Sequence, residues 1–179
     1  VPTAALTIAD AGALPVDVTI ANVNSYVGVC GDGLSPIVFD TDGTIIDDLF
    51  GPGASKDVIA SAGPDCWSLA SATVTEGSAL LNGKLIDGIS NTNNREVSLT
   101  DFNTGVRHEF GHYINLDNSQ INLKEATSPP TTDDNAVATM YPVLVNGTQQ
   151  ATLNLDDQVS VSTLYPAPSF VGGLGRITG

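Results

Sequence analysis

The chain has 179 residues, of which 41% are hydrophobic and 15% charged, and this composition is typical of a globular domain rather than a disordered or fibrous chain. Its 20 acidic and 6 basic side chains give a formal net charge of -14. Such a surface repels phosphate backbones, so we expect no nucleic-acid partner. No apolar run is long enough for a membrane span, and no signal peptide opens the sequence.

The first part of the chain predicts β-structure. Three short runs are rich in β-branched residues and are separated by Gly, Pro and Asn, namely TAALTIA, VDVTIANV and SPIVFD. The opening run has no capping or approach segment before it, and GRITG near the other end has the pattern of a strand cut short. We therefore expect a segment of a longer secreted or cell-surface polypeptide, with a main domain over 1–166 and a linker or the start of a following domain over 167–179.

The two cysteines, Cys30 and Cys66, form an even pair. In an acidic chain that we expect to be extracellular, the simplest interpretation is one disulfide, which contributes about 3–4 kcal/mol on the chain-entropy estimate. A metal-binding role is disfavoured because neither cysteine lies near a second cysteine or a histidine. A thiol that caps zinc in a latent precursor is a further alternative, but GVCGDG lacks the flanking residues expected of such a switch.

An acidic, glycine-bearing turn follows the third run. Carboxylates and carbonyls in such a turn can surround a hard cation, so a calcium site and a plain acidic loop are both open interpretations. The spacing is not that of an EF-hand, because no glutamate closes a twelve-residue loop. The candidate calcium ligands are Asp40, Asp42, Asp47 and Asp48.

The next segments predict more β-structure before a helix. SKDVIASAGP predicts a short strand ending at Pro64, and WSLASATVTEGSALLNG predicts one or two further strands. A polar connection then leads to DFNTGVRHEFGHYINLD. Thr100 or Asp101 is the expected N-cap of a helix here, and Asn115 is expected to end it in the left-handed conformation.

That helix contains both histidines of the chain, His108 and His112. A spacing of four residues places both imidazoles on one helix face, with Glu109 projecting toward the same side. This is the H-E-x-x-H arrangement, in which two imidazoles bind zinc and the carboxylate handles a proton of water. The alternative is a helix with two ordinary histidines. Since no histidine lies outside the motif, we favour zinc.

These pieces, in this order, resemble the metzincin metalloproteases, and among them the matrixins. HEFGHYINLDNS resembles their zinc motif H-E-x-x-H-x-x-G-x-x-H, TMYP resembles their methionine turn, and DDQVSVSTLYP resembles their last helix. Upstream, FGPGASKDVIASAGP is similar to the matrixin segment that runs from a cation-binding loop into the strand lining the cleft. The resemblance covers roughly residues 36–165.

The resemblance implies several roles. It implies an α+β fold with a twisted, mostly parallel or mixed sheet, an active-site helix and a C-terminal helix. Met140 would form an apolar floor beneath the metal, and the strand that pairs with an extended substrate would include Val58, Ile59 and Ala60. The usual N-terminal strand and long helix of the family are not recognisable in this chain.

The ligand set departs from the family pattern. Asn118 stands at the position of the third histidine, and an amide oxygen is a poorer zinc ligand than imidazole. Asp117 is the candidate substitute. Asn115 stands at the family's glycine, which is tolerable because Asn accepts left-handed geometry. Ser61 stands where the family has a histidine, so a second, structural zinc has no expected site.

The resulting prediction is a secreted zinc endopeptidase that acts on polypeptides, with Glu109 as general base. The alternative is a catalytically silent module that keeps the metzincin shape for binding or surface assembly. The departure at Asn118 supports the alternative, and the retention of Glu109 supports the enzyme.

Overall fold

The computed structural model of the chain describes residues 11–71, 73–92, 94–120, 137–144 and 150–171. Within them the chain is α+β, and the predicted class is confirmed. The strands are β1 (Ile37–Asp40), β2 (Ala60–Ser68) and β3 (Thr73–Asn82), and the helices are α1 (Thr44–Phe50), α2 (Leu99–Tyr113), α3 (Leu155–Leu164) and α4 (Pro168–Val171). Short 3-10 turns lie at Val23–Ser25, Ala54–Lys56 and Gly83–Ile86.

The three strands form one mixed sheet in the order β1-β3-β2. β1 runs parallel to β3, with Val38 opposite Leu80, and β2 runs antiparallel to β3, with Ala60 opposite Leu81. In this sheet β2 is therefore an edge strand. Its outer side is available for contacts with α2.

β2 continues past Pro64 to Ser68, so the prediction that this strand ends at the proline was wrong. An edge strand tolerates proline because the missing N–H need not break the ladder to the neighbouring strand. Register shifts then follow between Pro64 and Cys66 and between Cys66 and Trp67. The local irregularity lies next to the cysteine.

One cluster of the hydrophobic core joins α1 to the sheet. It consists of five buried aliphatic side chains from the first half of the chain, Val23, Val38, Ile45, Ile46 and Leu80. Partly buried Val18, Val27, Ala54 and Val58 pack against this cluster. Burial of aliphatic surface contributes about 25 cal/mol per Å², so this cluster fixes α1 against the sheet.

The run VDVTIANV does not form a strand, and that prediction was wrong. The Asn22 side chain accepts hydrogen bonds from the Thr19 N–H at 2.7 Å and from its hydroxyl at 3.3 Å, and donates to the Asp17 carbonyl at 3.0 Å. Such local side-chain bonds compete with a β-ladder. The run SPIVFD does contain β1, whereas TAALTIA lies outside the described residues.

Helix α2 packs against β2 and β3. A Cβ added at Gly77 of β3 would lie 3.2 Å from the Tyr113 carbonyl oxygen, so glycine permits a close approach there. The Tyr113 hydroxyl also donates to the Ser35 carbonyl at 3.0 Å. These contacts anchor the C-terminal end of α2.

Cys30 and Cys66 form a disulfide, as predicted, across a sequence separation of 36. The bond joins the loop before β1 to the edge strand β2. Next to it, the Glu76 carboxylate of β3 accepts the N–H groups of Gly31 at 2.6 Å and Gly33 at 3.1 Å. Among the described residues, no helix is both long enough and apolar enough for a membrane crossing.

Candidate metal site

The N-cap of helix α2 lies two or three residues before the predicted position. Ser98, rather than Thr100 or Asp101, is the N-cap, and its hydroxyl oxygen accepts the Asp101 N–H at 3.0 Å. The hydroxyl in turn donates to the Asp101 carboxylate at 2.8 Å. A side-chain acceptor satisfies an N–H that has no partner within the helix.

The other end of α2 is a Schellman motif. Asn115 has φ 68°, which confirms the predicted left-handed residue. The Leu116 N–H donates to the Gly111 carbonyl at 2.9 Å, and the Asn115 N–H donates to the His112 carbonyl at 2.8 Å. This reversal brings the Leu116 carbonyl back to the His112 ring.

Each imidazole is oriented by a backbone carbonyl. Nδ1 of His108 lies 2.8 Å from the Thr139 carbonyl oxygen, and Nδ1 of His112 lies 2.8 Å from that of Leu116. A carbonyl can only accept, so each Nδ1 carries a proton, and in the neutral rings both Nε2 atoms present lone pairs. Histidines that ligate metals are commonly held by this kind of partner.

The two Nε2 atoms lie 3.1 Å apart, and the ring planes are at 86°. Two lone pairs that face each other at this distance repel unless a proton or a cation lies between them. With Zn–N bonds of about 2.0–2.1 Å, the separation corresponds to an N–Zn–N angle of about 100°, near tetrahedral. The imidazole pair therefore fits zinc.

The candidates for a third ligand follow the end of α2. No group of three or more His, Cys, Asp or Glu side chains is placed to hold a metal ion in the described parts of the chain. Asp117, the predicted substitute, is exposed, and its carboxylate accepts the Asn118 N–H at 2.7 Å. Its role as a ligand stays a prediction. Asn118 itself is exposed. Its role as third ligand stays a prediction.

Glu109 connects α2 to the sheet edge. Its Oε2 accepts the backbone N–H of Ala62 in β2 at 2.9 Å, and Oε1 has no hydrogen-bond partner among the described residues. Burial raises the pKa of the Glu109 carboxyl above its usual range, and the neighbouring histidines and the Ala62 N–H oppose that rise. One carboxylate oxygen thus remains available for a ligand in the cleft.

Met140 packs against α2 at Gly111. Met140 is buried, and a Cβ added at Gly111 of α2 would overlap its side chain. Glycine at that helical position therefore allows the thioether to pack against the helix. The predicted apolar floor is compatible with this packing.

A buried carboxylate holds the segment around Met140. Asp157 of α3 accepts the N–H groups of Thr139 at 2.8 Å, Met140 at 3.0 Å and Asn154 at 2.8 Å. Asn154 is the N-cap of α3, and Asp157 completes a capping box. The Asn154-x-x-Asp157 spacing is the signal that could have identified this role.

A cleft of about 240 Å³ opens beside His108. Ile59 and Ala60 line it at the start of β2, and His108 and Glu109 line it from α2. Two of the three predicted substrate-strand residues therefore reach the cleft. Val58 does not line it and instead packs against the aliphatic core.

The four acidic residues of the predicted calcium loop have separate contacts. Asp40 is buried and accepts the Ile46 N–H at 2.9 Å, and Asp42 accepts the Thr44 N–H at 3.0 Å. Asp47 accepts the Ser55 N–H at 2.8 Å. Asp48 is exposed. The first two stabilise the N-terminus of α1. Calcium binding stays a prediction, and a calcium-dependent rise in thermal midpoint is its test.

Comparison with protein-family models, with curated proteins and with solved structures found no match to this chain.

Proposed function

We propose that the chain is a zinc-dependent endopeptidase of the metzincin, matrixin-like type. The observation that carries the proposal is the arrangement of His108 and His112, whose Nε2 atoms converge at 3.1 Å while both Nδ1 atoms are held by carbonyls. Glu109 lies on the same helix and lines the same cleft as His108. Two converging imidazoles with an adjacent carboxylate suit metal-assisted hydrolysis.

His108 and His112 would hold the zinc, with Asn118 as the proposed third ligand. When bound, zinc supplies Lewis-acid polarisation of a peptide carbonyl and lowers the pKa of water. Glu109 accepts the proton of the attacking water through Oε1 and then delivers it to the leaving amine. Its Oε2 stays bonded to Ala62, which keeps the carboxylate in position.

The edge strand β2 supports a polypeptide as substrate. Ile59 and Ala60 line the cleft where this strand begins, so an extended chain could lie beside them and form backbone hydrogen bonds. The Cys30–Cys66 disulfide supports an extracellular or cell-surface location, because such bonds persist in oxidising compartments.

A catalytically silent binding module is the second candidate. It is favoured because, among the described residues, no three His, Cys, Asp or Glu side chains form a group that could hold a metal ion. Loss of one ligand weakens zinc binding, and a binding module could tolerate that loss.

One combined experiment tests the proposal. The purified chain is supplied with zinc, its bound metal is quantified, and digestion of unfolded casein is followed with and without a chelator. The proposal predicts one zinc per chain and cleavage that the chelator abolishes. A zinc-loaded protein that leaves casein intact would favour the binding module, and a chain that takes up no zinc would remove both His108 and His112 as ligands.

A further inference from the structure

Asp57 gives the cleft an acidic wall. This residue follows the 3-10 turn Ala54–Lys56, lines the same cleft as His108 and Glu109, and is exposed. Its backbone N–H donates to the Ala54 carbonyl at 3.0 Å. The carboxylate has no hydrogen bond or ion pair with any of the described residues, so it is available to a ligand.

The cleft also has an aliphatic part. Ile59 and Leu144 contribute aliphatic surface. A Cβ added at Gly105 of α2 would lie 2.8 Å from the Ile59 side chain, so glycine at this position allows Ile59 to pack against the helix. No lysine or arginine is among the described residues that line the cleft. An aliphatic wall beside an unpaired carboxylate complements a side chain with a long apolar stem and a cationic end.

The size of the cleft limits what it can bind. At about 240 Å³ it is smaller than the pockets of about 300–1,000 Å³ that hold drug-sized ligands, so it suits one side chain of a longer substrate. The net charge of -14 adds a negative field that attracts cationic segments. Both features favour a basic residue in this position.

We propose that Asp57 makes the cleft selective for a lysine or arginine side chain of an extended polypeptide. This inference rests on the proposed function and names its substrate class. The stem of the side chain lies along Ile59, and its ammonium or guanidinium group pairs with the Asp57 carboxylate. Pairing at an exposed carboxylate is expected to strengthen binding by about two- to fivefold.

The test is a binding measurement, so it does not depend on turnover. Glu109→Gln protein in zinc-containing buffer is titrated into three fluorescently labelled ten-residue peptides of Ala, Gly and Ser that carry a single central Lys, Leu or Glu. Fluorescence anisotropy gives each Kd at low and at high salt. We expect the order Lys tighter than Leu tighter than Glu, with the difference reduced by salt.

A matched pair of variants separates the local effect from the total charge. Asp57→Lys and Asp17→Lys both replace an exposed carboxylate and change the net charge equally, but Asp17 does not line the cleft and is not a candidate metal ligand. Asp57→Lys should reverse the order so that the Glu peptide binds best, while Asp17→Lys should keep it. An identical order in both variants, or no peptide binding at all, would overturn the inference.

The outcomes also distinguish this inference from the proposed function. Preferential binding of the Lys peptide by a protein whose wild type cleaves nothing would support the role of Asp57 and contradict the protease. Cleavage of casein by the wild type without any preference for the Lys peptide would contradict the role of Asp57 alone.

Discussion

Asp157 accepts the backbone N–H of Thr139 at 2.8 Å, and the carbonyl oxygen of the same Thr139 lies 2.8 Å from Nδ1 of His108. A buried carboxylate on α3 therefore fixes the backbone that orients a candidate zinc ligand on α2. The relationship joins two helices that are distant in sequence. Asp157 also accepts the Met140 N–H, so it holds in place the segment whose Thr139 carbonyl orients the His108 ring.

Replacement of Asp157 by alanine should destabilise the fold strongly. Three backbone N–H groups would lose their acceptor, and each buried unsatisfied donor costs about 1–3 kcal/mol. We expect a loss of about 3 kcal/mol or more in the free energy of unfolding, measured by urea denaturation. Asp156→Ala is the control, since Asp156 is exposed and its loss should cost about 1 kcal/mol or less. Equal losses in the two variants would contradict this role.

Replacement of Asn118 by histidine should strengthen zinc binding. Imidazole is a better zinc ligand than an amide oxygen, so we expect affinity to rise by about tenfold or more, measured by competition with a chromophoric chelator. Asn103→His is the control, because Asn103 is an exposed position on α2. If both variants bind zinc as the wild type does, position 118 is not a ligand position.

Asp65 should make stability depend on pH in a defined direction. Burial raises the pKa of this carboxyl from 3.8, and the charges of Asp32 and Glu76 raise it further, while the Ser78 hydroxyl opposes the rise. A raised folded-state pKa means that folding favours the protonated form, so this stabilising contribution is present below pH 3.8 and is lost as pH rises through the folded pKa.

Asp65→Asn tests this dependence. The variant removes a carboxylate whose Oδ2 is buried without a partner among the described residues. We expect its thermal midpoint to exceed that of the wild type at pH 7 and the difference to shrink as the pH falls toward 3.8. A difference that stays constant with pH would show that Asp65 does not titrate as described.

Much of the site could be predicted from local sequence patterns. The four-residue spacing of His108 and His112 defines one helix face, and the left-handed tendency of Asn115 marks the helix end, because both depend on residues close in sequence. The disulfide was also predictable, since the chain has only two cysteines. Strand β1 followed from its apolar run.

Other features depended on tertiary contacts. The carbonyl partners of the imidazoles come from Thr139 and Leu116, and no spacing rule links Thr139 to His108. The acidic turn was interpreted as a loop, but Asp40 and Asp42 accept N–H groups at the start of α1 and help a helix to form there. Asp57 was missed because a single acidic residue before a strand has no pattern that indicates a cleft.

The most direct test of the central claim is the rate of peptide cleavage by zinc-loaded wild type and Glu109→Gln protein. Glutamine keeps an oxygen that can accept the Ala62 N–H but cannot take a proton from water. We predict that the wild type cleaves unfolded protein and that the variant, with zinc bound and the fold intact, is about 10²–10⁴-fold slower. Equal rates in the two proteins, or a zinc-loaded wild type without activity, would contradict the assignment of Glu109 as general base of a zinc peptidase.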